Sequence, residues 1–189
     1  MPRQTNHFLA LRLDDDSRDR LATVADRLRA WDLPARWTHP DDYHVTLVFL
    51  GPIDDSDASY LPAAIDELAG SFRRPALTFA GLGASGGSTE PKYVFAATSD
   101  SEAACAGMRA DLCEVLEMKP EARYQPHVTI CRPQSTPANL PLFRDWPHLL
   151  EANGIAHWGA CTTSDVVLWR RSDGGVRRYD ELARWPLIA

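Results

Sequence analysis

Little in this sequence could staple, ligate or anchor the chain. Its four cysteines, Cys105, Cys113, Cys131 and Cys161, form no Cys-x-x-Cys pair, and their spacing fits neither a zinc site nor a small disulfide framework. Reduced thiols are expected. Long apolar runs are missing as well. The N-terminal run from Phe8 to Leu11 is cut off by Arg12 and by Asp14-Asp15-Asp16, too short and too charged for a signal peptide or a membrane helix. A cytoplasmic protein with no membrane association is the expectation. Positive charge is also scarce. With 20 Lys and Arg against 26 Asp and Glu, the net charge of −6 argues against a protein that grips nucleic acid over a broad basic face. A nucleic acid would have to be held by a few local contacts, as at a strand end.

Other absences narrow the field further. Gly83, Gly86 and Gly87 are followed by no Gly-Lys-Ser/Thr and open no helix, so a hairpin loop is expected there, not a phosphate cradle. No solenoid period is present. What remains is an ordinary globular composition, 44% hydrophobic and 24% charged over 189 residues, enough for one domain or for two small lobes sharing a core.

The periodicities alternate between two and about 3.6. Strands are expected at His7 to Leu13, His44 to Leu50 (stopped by Gly51-Pro52), Ala76 to Leu82, Lys92 to Ala97 and His127 to Arg132. A closing hairpin of Val166 to Arg171 and Arg178 to Leu187 is expected around Gly174-Gly175. Helices are expected at Ser17 to Trp31, Ala58 to Phe72, Ser101 to Met118 and Leu140 to Asn153, the last constrained by Pro141 and Pro147. The third should bury Cys105, Met108, Leu112, Val115 and Leu116. Asp14 to Asp16 suit a strand-to-helix turn with N-cap character. Several strands joined by hairpins speak for α+β rather than for a doubly wound parallel sheet.

One short pattern occurs twice. His44-Val45-Thr46-Leu47 is echoed by His127-Val128-Thr129-Ile130, each on a short apolar strand. Residues two apart on a strand share a face, so His44 projects with Thr46 and His127 with Thr129. Side by side, the strands would present two imidazoles and two hydroxyls to one space. Histidine gives and takes protons near neutral pH, and phosphodiester hydrolysis needs a base for water and an acid for the departing oxygen. Threonine hydroxyls can donate to phosphate oxygens as charge builds there. A single His-x-Thr is more often a half-buried histidine beside a strand-forming threonine. Two copies in a chain with only six histidines reverse that balance. His7, His39, His148 and His157 have no patterned partner and read as structural or surface residues. No Asp, Glu or Cys repeats beside the paired histidines at ligand spacing, so neither a metal nor a cofactor is expected.

The stretches Tyr43 to Gly51 and Pro126 to Arg132 resemble the two-histidine (2H) phosphoesterases, and within them the RNA 2′,3′-cyclic phosphodiesterases, also known as 2′-5′ RNA ligases. Weaker similarity runs through Phe8 to Leu13, Arg36-Trp37, Gly81 to Gly83 and Val166 to Arg171. The resemblance implies a single domain over residues 1–189. Its fold would be a bilobal α+β one, with two intertwined, pseudo-symmetric lobes of antiparallel sheet and helices around a central cleft. It implies that His44 protonates the leaving 3′ oxygen, His127 activates water, and Thr46 and Thr129 hold the phosphate. Arg132 would pair with the phosphate and Phe49 would stack on the terminal base. The implied substrate is an RNA with a 2′,3′-cyclic phosphate end, opened to a 2′-phosphate by a monomeric enzyme, with reversible 2′-5′ ligation chemically allowed. The alternatives are a 2H enzyme acting on small cyclic nucleotides or ADP-ribose cyclic phosphate, and a nucleotide-binding module without turnover. Val48 stands where many relatives carry Arg, and the loop Ser85 to Pro91 departs from the usual pattern. The pairs Arg73-Arg74, Arg170-Arg171 and Arg177-Arg178 read as solvated strand ends, with guidance of an RNA backbone as the second reading. The six tryptophans are too scattered for a stacking platform and read as mostly core.

Overall fold

The computed structural model describes residues 5–32, 34–86, 91–100, 102–120, 123–134, 158–172 and 174–189. The expected helix over Leu140 to Asn153 lies outside them, as do His148, His157 and Trp146.

The chain opens with strand β1, Thr5–Leu13, followed by helix α1, Asp15–Arg29. The Asp14 carboxylate accepts the Ser17 N–H at 2.8 Å, the N-cap that the acidic run suggested. Leu21, Val24, Ala25 and Leu28 form the buried stripe of α1. Two short elements missed by the periodicity come next. Strand β2, Ala35–Trp37, has only three residues, and a 3₁₀ turn, Pro40–Asp42, leads into β3, His44–Ile53. Strand β3 does not stop at Gly51-Pro52. It continues because β1 supplies a partner to its end, Thr5 opposite Ile53 and Asn6 opposite Pro52, with Gly51 at a positive φ of 79°.

Helix α2, Asp55–Ser71, leads to the hairpin of β4, Leu77–Ser85, and β5, Tyr93–Asp100. Gly83 belongs to β4 and not to the loop. Helix α3, Ala104–Val115, follows. Val115 is exposed rather than buried, because the helix ends there and Leu116 packs in its place. After α3 come β6, His127–Pro133, β7, Ala160–Cys161, β8, Thr163–Arg171, and β9, Tyr179–Pro186.

The strands form one curled sheet in the order β7-β4-β5-β6-β3-β1-β8-β9, with β2 beside β6, and every strand pair is antiparallel. This is the α+β architecture expected. Its two halves meet where Val45 of β3 faces Val128 of β6. The helices cross that seam, α1 packing on β6 and α3 on β3. They cover one sheet face and share the main core with Leu9, Leu11, Val45, Leu47, Val128 and Ile130. The opposite face carries a small second cluster, Phe8, Ala10, Val167 and Trp169, so β1 is buried on both sides. All four cysteines are free and buried, and burial pushes the Cys131 and Cys161 thiols up to about 12.

The N-cap position of helix α3 is Ala103, whose side chain cannot cap. The Asp100 carboxylate takes over, accepting the N–H of Ala104 at 3.0 Å and of Cys105 at 2.7 Å. Asp100→Ala should therefore lower the unfolding free energy by about 1–2 kcal/mol in urea titration. A midpoint equal to that of the parent chain would show that α3 is held by packing alone.

Candidate active site

With Val45 opposite Val128, His44 and Thr46 of β3 flank the seam on one face, and His127 and Thr129 of β6 flank it from the other side. All four are half-buried and line one cavity of about 460 Å³, on the sheet face away from the helices. Thr46 and His127 also border a second cavity of about 500 Å³ toward α3, so the two hollows meet at the seam.

Each imidazole is anchored in the same way. His44 Nδ1 lies 2.7 Å from the carbonyl oxygen of Asp42, and His127 Nδ1 lies 2.9 Å from that of Gln125. A carbonyl only accepts, so each Nδ1 carries the hydrogen and each Nε2 is left for the cleft. Aromatic rings hold the imidazoles from behind. Phe8, Trp169 and Tyr179 surround His44 at centroid distances of 4.9, 4.8 and 5.5 Å. Phe95 and Tyr93 stand 5.0 and 5.7 Å from His127. Gly83 makes room for this arrangement. A Cβ there would come within 2.5 Å of the Phe95 ring, which stands against His127.

The two anchors differ electrically. Burial pulls the His44 pKa from 6.5 down to about 4, the Asp42 carbonyl opposing this and His127 adding a smaller depression. In the free protein at neutral pH, His44 is a neutral imidazole. Asp42 itself is fully buried. Its carboxylate accepts the Arg178 N–H at 2.7 Å and lies 3.6 Å from Arg177 Nε, tying the turn before β9 to the entry of β3.

Strict alternation from His44 through Thr46 would turn Val48 toward the cleft and Phe49 away. The structure does the reverse. Leu9 and Ala10 of β1 pair with Val48 and Thr46, leaving Leu47 as a bulge that shifts the phase by one residue. Val48 is therefore core, and Phe49, 55% exposed, lines both cavities. β6 repeats the device. Val94 and Phe95 pair with Cys131 and Thr129, bulging Ile130, so Cys131 is buried and Arg132 reaches the cavity. Arg132 also lies 5.7 Å over the Tyr93 ring. All six residues singled out in the sequence thus converge on one cavity, four by alternation and two by matched bulges.

The fold agrees with what the chain is similar to. The family model described as LigT like phosphoesterase matches residues 11–95. The chain is 26% identical over 194 aligned residues to an RNA 2′,3′-cyclic phosphodiesterase of Geobacillus stearothermophilus, covering 98% of this chain and 58% of that protein. A protein of the same name from Methanothermobacter thermautotrophicus is 24% identical over 127 residues, 66% of this chain and 69% of that one. Over residues 11–95 the chain is thus similar to the LigT-like phosphoesterases. A crystal structure from Thermus thermophilus superposes with a TM-score of 0.72 at 19% identity, over 96% of this chain and 97% of that one. Apo LigT of E. coli gives 0.66 at 20% identity over 99% of both chains.

Other residues of the cavity were not legible beforehand. Phe8, Trp169 and Tyr179 come from three strands with no shared motif, and Trp169, read only as core, is the floor under His44. Arg171 and Arg178, read mainly as solvated strand ends, open onto the cavity, as does Arg36. Arg73 and Arg74 lie elsewhere, near Ile188. His7 is buried, with Nδ1 2.8 Å from the Thr5 carbonyl oxygen, and His39 caps the 3₁₀ turn, so both are structural as expected. Among the described residues no group of three His, Cys, Asp or Glu side chains gathers as metal ligands, and no helix is long and apolar enough to cross a membrane.

The depressed pKa of His44 makes folding pH-dependent. The unfolded chain binds a proton there below pH 6.5 and the folded chain only near 4, so stability falls as pH drops through that window. Between pH 6.5 and 4.5 the parent should lose roughly 1–2 kcal/mol more than His44→Gln in urea unfolding. Parallel losses would mean that the His44 ring is better solvated than its surroundings indicate.

Proposed function

We propose that this protein is a phosphoesterase that opens a 2′,3′-cyclic phosphate at the end of an RNA and leaves a 2′-phosphate. The observation that carries this reading is the symmetric placement of His44, Thr46, His127 and Thr129 around the Val45–Val128 seam, with Arg132 and Phe49 brought to the same cavity. The curated relatives named RNA 2′,3′-cyclic phosphodiesterase support it.

In this reading the cyclic phosphate sits between the imidazoles. The Thr46 and Thr129 hydroxyls and the Arg132 guanidinium donate to its non-bridging oxygens, where charge grows in the transition state. His127 Nε2 takes a proton from water as the water oxygen bonds to phosphorus. The bond from phosphorus to the 3′ oxygen breaks, and His44 Nε2–H supplies the proton that this oxygen needs. The product is a 2′-phosphomonoester with a free 3′-hydroxyl. His44 is neutral in the empty site, but a phosphodiester anion beside Nε2 opposes the effect of burial and favours the imidazolium. Substrate therefore charges its own acid. The exposed Phe49 ring offers a stacking face to the terminal base, whichever base it is. A 5′-hydroxyl in the place of water gives a 2′-5′ linkage by the same proton transfers.

Incubating the protein with a cyclic-phosphate-ended oligonucleotide should yield a 2′-phosphate by chromatography, with undiminished rate in EDTA. His44→Ala and His127→Ala should each lower kcat by at least about 100-fold, the scale of a general acid or base, with folding retained by circular dichroism. A 3′-phosphate product would exchange the two histidines' roles. Turnover confined to small cyclic nucleotides or ADP-ribose cyclic phosphate would change the substrate class, and tight nucleotide binding without hydrolysis would make the site a binding module.

A further inference from the structure

The cavity holding the two histidines collects more positive charge than a cyclic phosphate can use. Arg36, Arg132, Arg171 and Arg178 all line it, and no Asp or Glu is among the lining residues. They arrive from separate elements. Arg36 on β2 stands opposite Arg132 on β6, Arg171 ends β8, and Arg178 precedes β9. In a chain of net charge −6, four arginines on one hollow are a local inversion of sign. Among the described residues none of the four makes an ion pair, whereas neighbouring Arg170 is bound to Asp180 at 3.2 Å and Arg177 lies 3.6 Å from Asp42. Burial lowers the Arg178 pKa, and Arg36, Arg132 and Arg171 lower it further, Tyr179 opposing. The guanidinium groups thus repel one another across the hollow, and an anion between them would relieve the repulsion.

The arrangement is held in place. The Arg178 backbone is fixed by the buried Asp42 carboxylate at 2.7 Å, and the same Asp42 carbonyl orients His44. The arginine turn and the catalytic imidazole therefore share one anchor. A 2′,3′-cyclic phosphate carries a single negative charge, which His44, the two threonines and Arg132 already answer. A strand end continues in one direction only, through the 5′ carbon of the terminal ribose to the next phosphate.

We propose that Arg36, Arg171 and Arg178 form a second anion subsite, which takes the phosphate on the 5′ oxygen of the terminal ribose and so selects strand ends over cyclic nucleosides lacking that phosphate. This rests on the cyclic phosphodiesterase reading above.

The test compares kcat/KM on three substrates: a nucleoside 2′,3′-cyclic phosphate, the same compound with a 5′-phosphate, and a dinucleotide ending in the cyclic phosphate. The 5′-phosphate should raise kcat/KM by about tenfold or more, chiefly through KM, as charge-assisted bonds of ordinary strength do. The dinucleotide should share most of that gain. In Arg36→Gln, Arg171→Gln and Arg178→Gln the ratio of phosphorylated to unphosphorylated substrate should fall toward one, and the salt dependence of KM for the dinucleotide should become shallower. Because each ratio is taken within one variant, partial misfolding cancels from it. Equal turnover of all three substrates by the parent chain would overturn the subsite and leave the phosphodiesterase reading intact. So would a preference shown only by the dinucleotide and unchanged in the variants, which would assign the gain to the second nucleoside. No turnover of any of the three would overturn both.

Discussion

The pairing of Val45 with Val128 joins the two halves of the sheet, and the positions of the paired histidines and threonines depend on it. Because β3 and β6 run antiparallel through that contact, one His-x-Thr is set beside the other with its order reversed. A histidine of one strand then neighbours a threonine of the other, so the cavity is lined alike from its two sides. Both valines are fully buried, under helices that cross from the opposite halves. Displacing either strand would cost core packing before it reached the site. The chemistry is thus held by the hydrophobic core, not by contacts among the polar groups themselves.

The polar groups that do matter are arranged to leave few choices. Backbone carbonyls two residues ahead of each histidine fix the tautomer, and aromatic rings from β1, β8 and the start of β9 fix the plane of His44. That packing lowers the His44 pKa, so the same rings that orient the imidazole hold it neutral. Local burial and local positive charge are combined here. The hollow is apolar behind the histidines and cationic in front of them, while the chain as a whole is acidic. Bulk charge said little about the ligand because four arginines need only meet at one place.

The repeated motif, the four side chains it aims at one space and most helix and strand positions were legible from the sequence. Alternation and apolar spacing are local properties, and the core rewards them wherever the strand is placed. The short elements were not. Strand β2 with three residues and β7 with two carry too few positions for a period to register, and they exist because β6 and β4 offer partners. The extension of β3 through Gly51-Pro52 has the same origin in β1.

Residues 44–47 and 127–130 by themselves determined which imidazoles and hydroxyls share one face, because a two-residue period leaves a side chain only two faces. Which of Val48 and Phe49, or of Cys131 and Arg132, joins them was decided by tertiary structure alone. The register of β1 against β3 and of β5 against β6 inserts a bulge at Leu47 and at Ile130, and each bulge exchanges the faces of the two residues that follow it. The aromatic floor under His44 and the convergence of Arg36, Arg171 and Arg178 were likewise set by the curl of the sheet. It brings together residues more than a hundred positions apart, a proximity that no local pattern along the chain encodes.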